Sequence, residues 1–304
     1  MMVNSGEING EPVHASHRLL TQLLRYELGF EGVIVSDWED IYKLHTMHHI
    51  AADRKDAVRQ AIMAGIDMSM VPNDLEFHDL LVDLVREGSV PEQRINESVR
   101  RILEFKYRLG LFENAYHDST LVPLVASDVF RRASLEAARE AVTLLKNEED
   151  ILPLGSYDRI LLTGPAATSL PMLHGGWTYT WQGTDAAAYP DQTRTLHEAL
   201  VETAGENNVT FVPGATLDEV VDLDAVVDAA EDAEVVILAL GEQASVEKPG
   251  DIEDLSISDS QIELAHAVAE TGKPVILVLL QNRPVIIREF EPLVLSLIHI
   301  SEPT

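Results

Sequence analysis

The chain contains no cysteine. That excludes disulfides and thiolate metal centres, and it leaves the compartment undecided. Positive charge is scarce: 22 Lys and Arg stand against 51 Asp and Glu, for a formal net charge of −29. A surface so acidic repels nucleic acid and anionic membranes, so neither is expected as a partner. A neutral ligand such as a sugar suits it, and so does a salty medium. Long apolar runs are missing as well. The stretch 273–287 is interrupted by Asn282-Arg283-Pro284, so no membrane insertion is expected. The opening MMVNSGEING turns polar within a few positions and carries no leader-like apolar segment; it reads as a chain that begins inside a fold, with periplasmic or secreted placement left open. There is no internal repeat and no low-complexity tract. Thr163-Gly164-Pro165-Ala166-Ala167 follows a strand-like run but lacks the Gly-x-Gly-x-x-Gly spacing of a phosphate cradle, so no dinucleotide and no other cofactor is expected. His14, His45, His48 and His49 lack the spacing of a zinc site and read as surface or packed histidines, so no metal is expected either.

What is there is globular: 46% hydrophobic and 24% charged over 304 residues, enough for two modest domains. Ser16 precedes Leu19, Leu20, Leu23, Leu24 and Leu28, a helical spacing closed by Gly29. Val33-Ile34-Val35 predicts a short buried strand that ends in Ser36-Asp37-Trp38. A helix over 56–64, a strand over 66–72 and helices over 74–87 and 91–109 follow. Residues 114–128, polar and proline-containing, read as a linker. Beyond it a helix is expected over 129–146, then strands at 159–163, 209–212, 234–240 and 274–280, with helices at 194–204, 223–231 and 258–271. Strands alternating with helices on short connections predict α/β architecture with a parallel sheet in both halves.

A buried parallel strand that releases a carboxylate and an aromatic ring at its C-terminal end is how an α/β barrel presents an active site. Asp37, taken alone, suits the cap of the next helix better. Trp38 beside it shifts the balance, because a large ring next to a strand-end carboxylate is a common way to hold a sugar face. GVIVSDWED (32–40) resembles the nucleophile segment of glycoside hydrolase family three, whose typical members are β-glucosidases and exo-β-glucanases. The opening Met2-Val3 and Ile8-Asn9-Gly10 with His14-Ala15-Ser16, GIDMSMVP (65–72), RILEFKYRLGLFEN (101–114), Leu144–Glu148 and GGWTYTWQG (175–183) resemble it too. The resemblance spans about residues 1–290. It implies the C-terminal part of a (β/α)8 barrel over 1–113 and an incomplete α/β sandwich over 129–295. A full barrel needs about 250 residues, and only about 110 precede the linker, so the chain reads as a fragment lacking about five βα units. Residues 296–304, SLIHISEPT, match nothing in the family and read as a non-native tail.

Hydrolysing a glycoside with retention needs two carboxyl groups about 5–5.5 Å apart. One attacks the anomeric carbon; the other protonates the leaving oxygen and then deprotonates water. The resemblance implies Asp37 as the nucleophile, helped in the family by an Arg and a Lys-His pair from upstream strands. It implies Glu247 as the acid/base. Gly241–Asp251 follows a strand, where α/β sheets place ligands, and it resembles the loop in which members that cleave β-glucans carry this Glu just before Gly-Asp. Glu242 is the runner-up and Glu253 a distant third. The two acids would act together only if the domains dock. In the family's GGWTxxWQG segment the second Trp packs on a glucosyl unit, opposite the Trp after the nucleophile. Trp181 and Trp38 are therefore the implied substrate-binding rings, with Trp177 structural. Ser5 stands where the family usually carries an aromatic near the sugar. The implied substrate is a β-linked glucoside or oligosaccharide, with β-xylosides handled by some members. A β-N-acetylhexosaminidase, which uses a His on a barrel loop as acid/base, is disfavoured by the Glu247 loop and by GGWTYTWQG. Outside enzymes, the alternative is a non-catalytic carbohydrate-binding fragment. Oligomeric state is not legible.

Overall fold

A computed structural model describes residues 1–71, 73–155 and 159–301. Pro72, expected to end the second strand, and Glu302-Pro303-Thr304 of the tail lie outside the described residues. The chain divides into two compact units, Met1–Val122 and Pro123–Thr304. No helix among the described residues is long and apolar enough to cross a membrane.

The first unit opens with a small hairpin. β1 (Glu7–Ile8) pairs antiparallel with β2 (Glu11–Pro12) around Asn9-Gly10, both at positive φ, the pair of residues such a tight turn favours. A helix over Arg18–Glu27, wound in the wide π form, leads to β3 (Val35–Trp38), which pairs in parallel with β4 (Met68–Met70). Met2 bridges Val35 in parallel. Helices cover Asp40–Thr46, Arg54–Ala64, Glu76–Arg86 and Glu92–Arg108. The first of these was not anticipated. Of the expected leucine stripe, Leu20 is buried, Leu19 and Leu24 pack partly, and Leu23 and Leu28 stay exposed. The core gathers Val3, Ile34, Ile41, Leu44, Val58, Ile62, Ile66 and Leu84.

β3 begins two residues later than Val33 because Ile34 donates its N–H to the Asp67 carboxylate, 3.0 Å away, instead of to a strand. Asp67 is the polar centre of this unit. Its fully buried side chain also meets Arg25 at 2.5 Å, Ser98 at 2.6 Å and Arg101 at 2.9 Å, with Arg94 at 3.5 Å. Burial pulls Arg25 and Arg94 below the usual guanidinium range, and the Asp67 charge works against that. Backbone oxygens take the remaining donors: Phe30 and Gly32 for Arg25, Ile62 and Ile66 for Arg94. One carboxylate thus ties the start of β3 to two helices, Arg18–Glu27 and Glu92–Arg108.

The second unit is built on a six-stranded sheet. In chain order its strands are β5 (Thr143–Asn147), β6 (Ile160–Thr163), β7 (Val209–Val212), β8 (Val235–Gly241), β9 (Val275–Gln281) and β10 (Ser296–Ser301). In space they run β5-β10-β9-β8-β6-β7. Alternate residues of β8 face opposite cores. Val236, Leu238 and Leu240 meet the helices Leu223–Asp232 and Asp259–Glu270 through Val226, Ala230, Leu264 and Val268. Val235, Ile237 and Ala239 face Met172, Leu196 and Leu200 on the other side. Period-two alternation of apolar residues, apolar on both faces, is what a strand covered by two helical layers requires.

Three expectations are corrected here. The sheet is mixed, not parallel, since β5 runs antiparallel to β10. The helix expected over 129–146 spans Asp128–Ala141, and Thr143-Leu144-Leu145-Lys146-Asn147 leaves it to become that antiparallel edge strand. The segment set apart as a tail supplies β10, between β9 and β5. Leu297 packs into one core while Ile298 and Ile300 pack into the other, so its alternation fits the slot.

Replacing Asp67 by Asn would leave three guanidinium groups around a neutral amide. Removing one partner of a buried ion cluster costs about 3–5 kcal/mol. Urea unfolding followed by fluorescence should show the first unit of Asp67→Asn weakened by that amount; a loss below about 1 kcal/mol would mean that the cluster does not hold the unit together.

Candidate functional site

In the first unit, Asp37 lies near the C-terminal end of β3, half-buried, with Trp38 beside it and 52% exposed. Its geometry is set from two sides. The Asp37 carboxylate accepts the Trp38 N–H at 2.6 Å, and the Asp37 N–H donates to His14 Nε2 at 3.1 Å. Ser36, directly before it, is buried; its hydroxyl donates to the Asp37 carbonyl at 2.8 Å and accepts the Met70 N–H, locking β3 to β4 at the same level. Glu39 adopts φ 56°, turning the chain into the helix Asp40–Thr46 immediately after the indole.

His14, expected as a surface or packed histidine within the family-like opening, is packed, and its partners are ones that the sequence does not signal. It is buried at the end of the first hairpin, accepting from the strand backbone with Nε2, so its proton sits on Nδ1, which faces the buried Asp40 carboxylate at 3.6 Å. Lys43 pairs with the other Asp40 oxygen. Burial pushes the His14 imidazole below its ordinary value; Asp40 and then Asp37 pull it up, while Lys43 and His48 add to the depression. The other histidines find separate partners: His45 the Ala51 carbonyl, His48 Glu7, and His49 the His45 carbonyl.

The second unit offers a crevice at a topological switch. From β6 the chain goes outward to β7, then returns to β8 on the opposite flank of β6. The segments that leave the C-terminal ends of β6 and β8 therefore diverge, and open sheets bind ligands where that happens. Gly164, at φ 103°, makes the close approach possible: a Cβ there would lie 2.2 Å from the Ala239 carbonyl oxygen. The segment downstream of β6 carries Trp177 and Trp181, and the loop after β8 carries Glu242 and Glu247.

These two segments meet. Trp181 donates its indole N–H to the Glu247 carboxylate at 3.2 Å. Gln182 exchanges two hydrogen bonds with the Val246 backbone, donating to its carbonyl at 3.0 Å and accepting its N–H at 3.1 Å. Gly176 has no room for a side chain against Val246, whose methyl carbon would lie 2.4 Å from a Cβ. Glu247 is exposed and sits at φ 55°, ψ −152°, a conformation nearly reserved for glycine. Such a residue costs about 1–3 kcal/mol and persists only where its surroundings over-determine it.

The tethers that do so are visible. Gln261 clamps both the N–H and the carbonyl of Gly241 at 2.9 and 3.0 Å. Glu242 accepts the backbone N–H groups of Asn282 and Arg283, at 2.8 and 3.1 Å, and the Arg283 guanidinium. Arg283 in turn donates to Ser245 and to the Gly250 carbonyl. Glu242 is thus committed to holding the loop, while Glu247 presents its carboxylate beside an indole. Glu253 is exposed on the far side of Gly250-Asp251 in the chain. Trp181 is 47% exposed and Trp177 65%, with ring centroids 6.5 Å apart. Trp177 is more open than a structural ring would be. Ser5 is exposed.

Both units are α/β, and each sets a carboxylate next to an exposed indole, at the end of β3 in the first and beyond the end of β8 in the second. The model of the glycosyl hydrolase family 3 N-terminal domain matches residues 1–105, and that of the family 3 C-terminal domain matches 142–303. The chain belongs to glycosyl hydrolase family 3. A lysosomal beta glucosidase of Dictyostelium discoideum is 43% identical over 93% of the chain, and a periplasmic beta-glucosidase of Salmonella typhimurium is 33% identical over the same share. The structure of beta-glucosidase from Listeria innocua superposes with a TM-score of 0.88 at 28% identity, over 99% of this chain and 41% of that one. The chain spans 36% and 40% of the length of the two curated relatives.

His14 links this geometry to pH. Its folded pKa is depressed, so its contribution to stability is fully present above the unfolded value of about 6.5 and is lost as pH falls through the folded value. Protonating Nε2 would also oppose two donors across the Asp37 contact. Thermal unfolding should therefore show the first unit weakening on acidification below about pH 6.5, with a shallower decline for His14→Gln, which keeps an acceptor and does not titrate. Parallel declines in the two proteins would remove His14 from this role.

Proposed function

We propose that the chain carries both catalytic carboxylates of a retaining β-glycoside hydrolase that releases glucose from β-glucosides or β-glucan ends. In this reading the first unit is the closing part of a (β/α)8 barrel, spanning 1–113, and the second is an α/β sandwich over 129–295 that follows a linker at 114–128. Asp37 attacks the anomeric carbon and forms a glycosyl-enzyme. Glu247 protonates the departing oxygen and then takes the proton of the attacking water, so one group serves as acid and base in turn. Trp38 and Trp181 receive the sugar on their faces, where C–H bonds leave water for the negative π-cloud.

The observation that carries this reading is the Trp181 indole N–H on the Glu247 carboxylate at a topological switch point. A glutamate held beside an exposed ring, in a backbone conformation that costs free energy, is what a site-bound acid would look like; Glu242, spent on Arg283 and two backbone N–H groups, is not. The substrate class follows the relatives. The Listeria innocua enzyme has been solved in complex with glucose, and a mutant of it with laminaribiose. A beta-xylosidase of Formosa agariphila, 32% identical, keeps β-xylosides as a second choice.

Asp37→Ala should abolish hydrolysis of aryl β-glucosides. Glu247→Ala should lose about 10²–10⁴-fold, and added azide should restore turnover of activated substrates by attacking the glycosyl-enzyme directly. Azide rescue appearing in Glu242→Ala instead would overturn the assignment. Cellobiose binding by the unmodified chain with no turnover would favour the carbohydrate-binding fragment.

A further inference from the structure

Gln182 makes no hydrogen bond to the Glu247 carboxylate or the Trp181 ring, yet it follows Trp181 in the chain, bonds the residue before Glu247 and so joins their two segments. Its amide fills both hydrogen-bonding positions of Val246, the residue before Glu247. Val246 in turn packs against Gly176, and the Trp177 N–H closes the segment on the Trp181 carbonyl at 2.8 Å. On the other flank of Glu247, the loop is fixed by Arg283 at Ser245 and Gly250.

We propose that Gln182 is a positioning residue for the acid/base. It couples the position of the Glu247 carboxyl to that of Trp181, so that the ring that receives the leaving-group side of the substrate and the acid that protonates its oxygen move as one body. The inference rests on the reading of Glu247 given above. The chemistry is specific. A backbone N–H and a backbone C=O on one residue require a donor and an acceptor side by side, which a primary amide supplies and a carboxylate or a hydrocarbon does not. Without this clasp, the strained φ of Glu247 loses one of the constraints that hold it, and the carboxyl relaxes away from the indole.

Two readouts test this. In nitrogen–proton correlation spectra, Trp181→Phe identifies the Trp181 indole signal, and Glu247→Ala gives the displacement caused by losing the carboxylate. Gln182→Ala should reproduce most of that displacement with Glu247 intact, and Gln182→Glu, which keeps the acceptor but not the donor, should fall between; the Trp38 signal should not move. A Trp181 signal left at its parental position in Gln182→Ala overturns the proposal. In kcat/KM, which reports formation of the glycosyl-enzyme, a misplaced acid harms only bonds that need protonation. Gln182→Ala should lose about 100-fold in kcat/KM on alkyl glucosides and little on dinitrophenyl glucosides, whose leaving groups depart unaided. Equal losses on both substrates would mark a merely structural residue and also overturn it. If Glu247→Ala leaves turnover untouched, the function assigned to Glu247 fails, and the spectra still decide whether Gln182 couples the two groups.

Discussion

All seven residues of β8 are buried, between β6 on one side and β9 on the other, and much of what the second unit can do follows from that confinement. A strand apolar on both faces cannot slip by one residue, because its two faces serve two different cores. The point at which the chain leaves the sheet, Gly241, is therefore invariant in space. Gly241 lies so close to β9 that a Cβ would meet the Leu280 carbonyl oxygen at 1.9 Å, and Gln261 closes on its backbone from the helix Asp259–Glu270. The loop to Asp251 inherits a fixed origin. Its strained centre at Glu247 is tolerable only because the origin and several points along the way are held.

The first unit solves a similar problem with charge. The two strands of its parallel pair are short, and Ile34 is buried with its N–H turned toward a carboxylate instead of a strand. Asp67 replaces ladder hydrogen bonds with ionic ones and gathers Arg25, Arg94 and Arg101 from two helices around the root of β3. A buried carboxylate with three cations is weak evidence for added stability over a hydrophobic alternative. What it supplies is directional: each donor has a fork geometry that specifies where the carboxylate must be. Three residues downstream of Ile34, the same strand delivers Asp37.

Much of this was legible along the chain. The strand Val209–Val212 and the helices Leu223–Asp232 and Asp259–Glu270 follow from local periodicity, and they sit within a residue or two of where that periodicity puts them. Asp37 and Trp38 stand out as a charge and a ring after an apolar strand, and Trp181 as a ring among glycines, whereas Glu247 is singled out among 51 acidic residues only by the family resemblance of its loop. What periodicity could not reach depends on partners distant in sequence. The edge strand Thr143–Asn147 carries residues that suit a helix, and only an available neighbour in β10 makes it a strand. His14 looks like any histidine until the hairpin folds it under Asp37. Gln182 belongs to the GGWTxxWQG resemblance, but its partner is identified by strand order, which no linear spacing encodes.

The two carboxylates are held by opposite means, and the difference matters for what can disturb them. Asp37 belongs to a strand. Its amide is fixed by a buried imidazole and its carboxylate by the next residue's N–H, so its position is a property of the unit's core. Damage to that core reaches it, whereas changes on the loops around it do not. Glu247 belongs to a loop whose backbone is bonded at Gly241, Val246 and Gly250 while its own side chain meets an exposed indole. Its position is a property of contacts between segments, each weak enough to break singly. Cooperative unfolding monitors the first kind of constraint and is nearly blind to the second, because a loop can come loose at a small fraction of the free energy that unfolds a sheet. A protein of this design can keep its melting temperature while losing the placement of the Glu247 carboxylate.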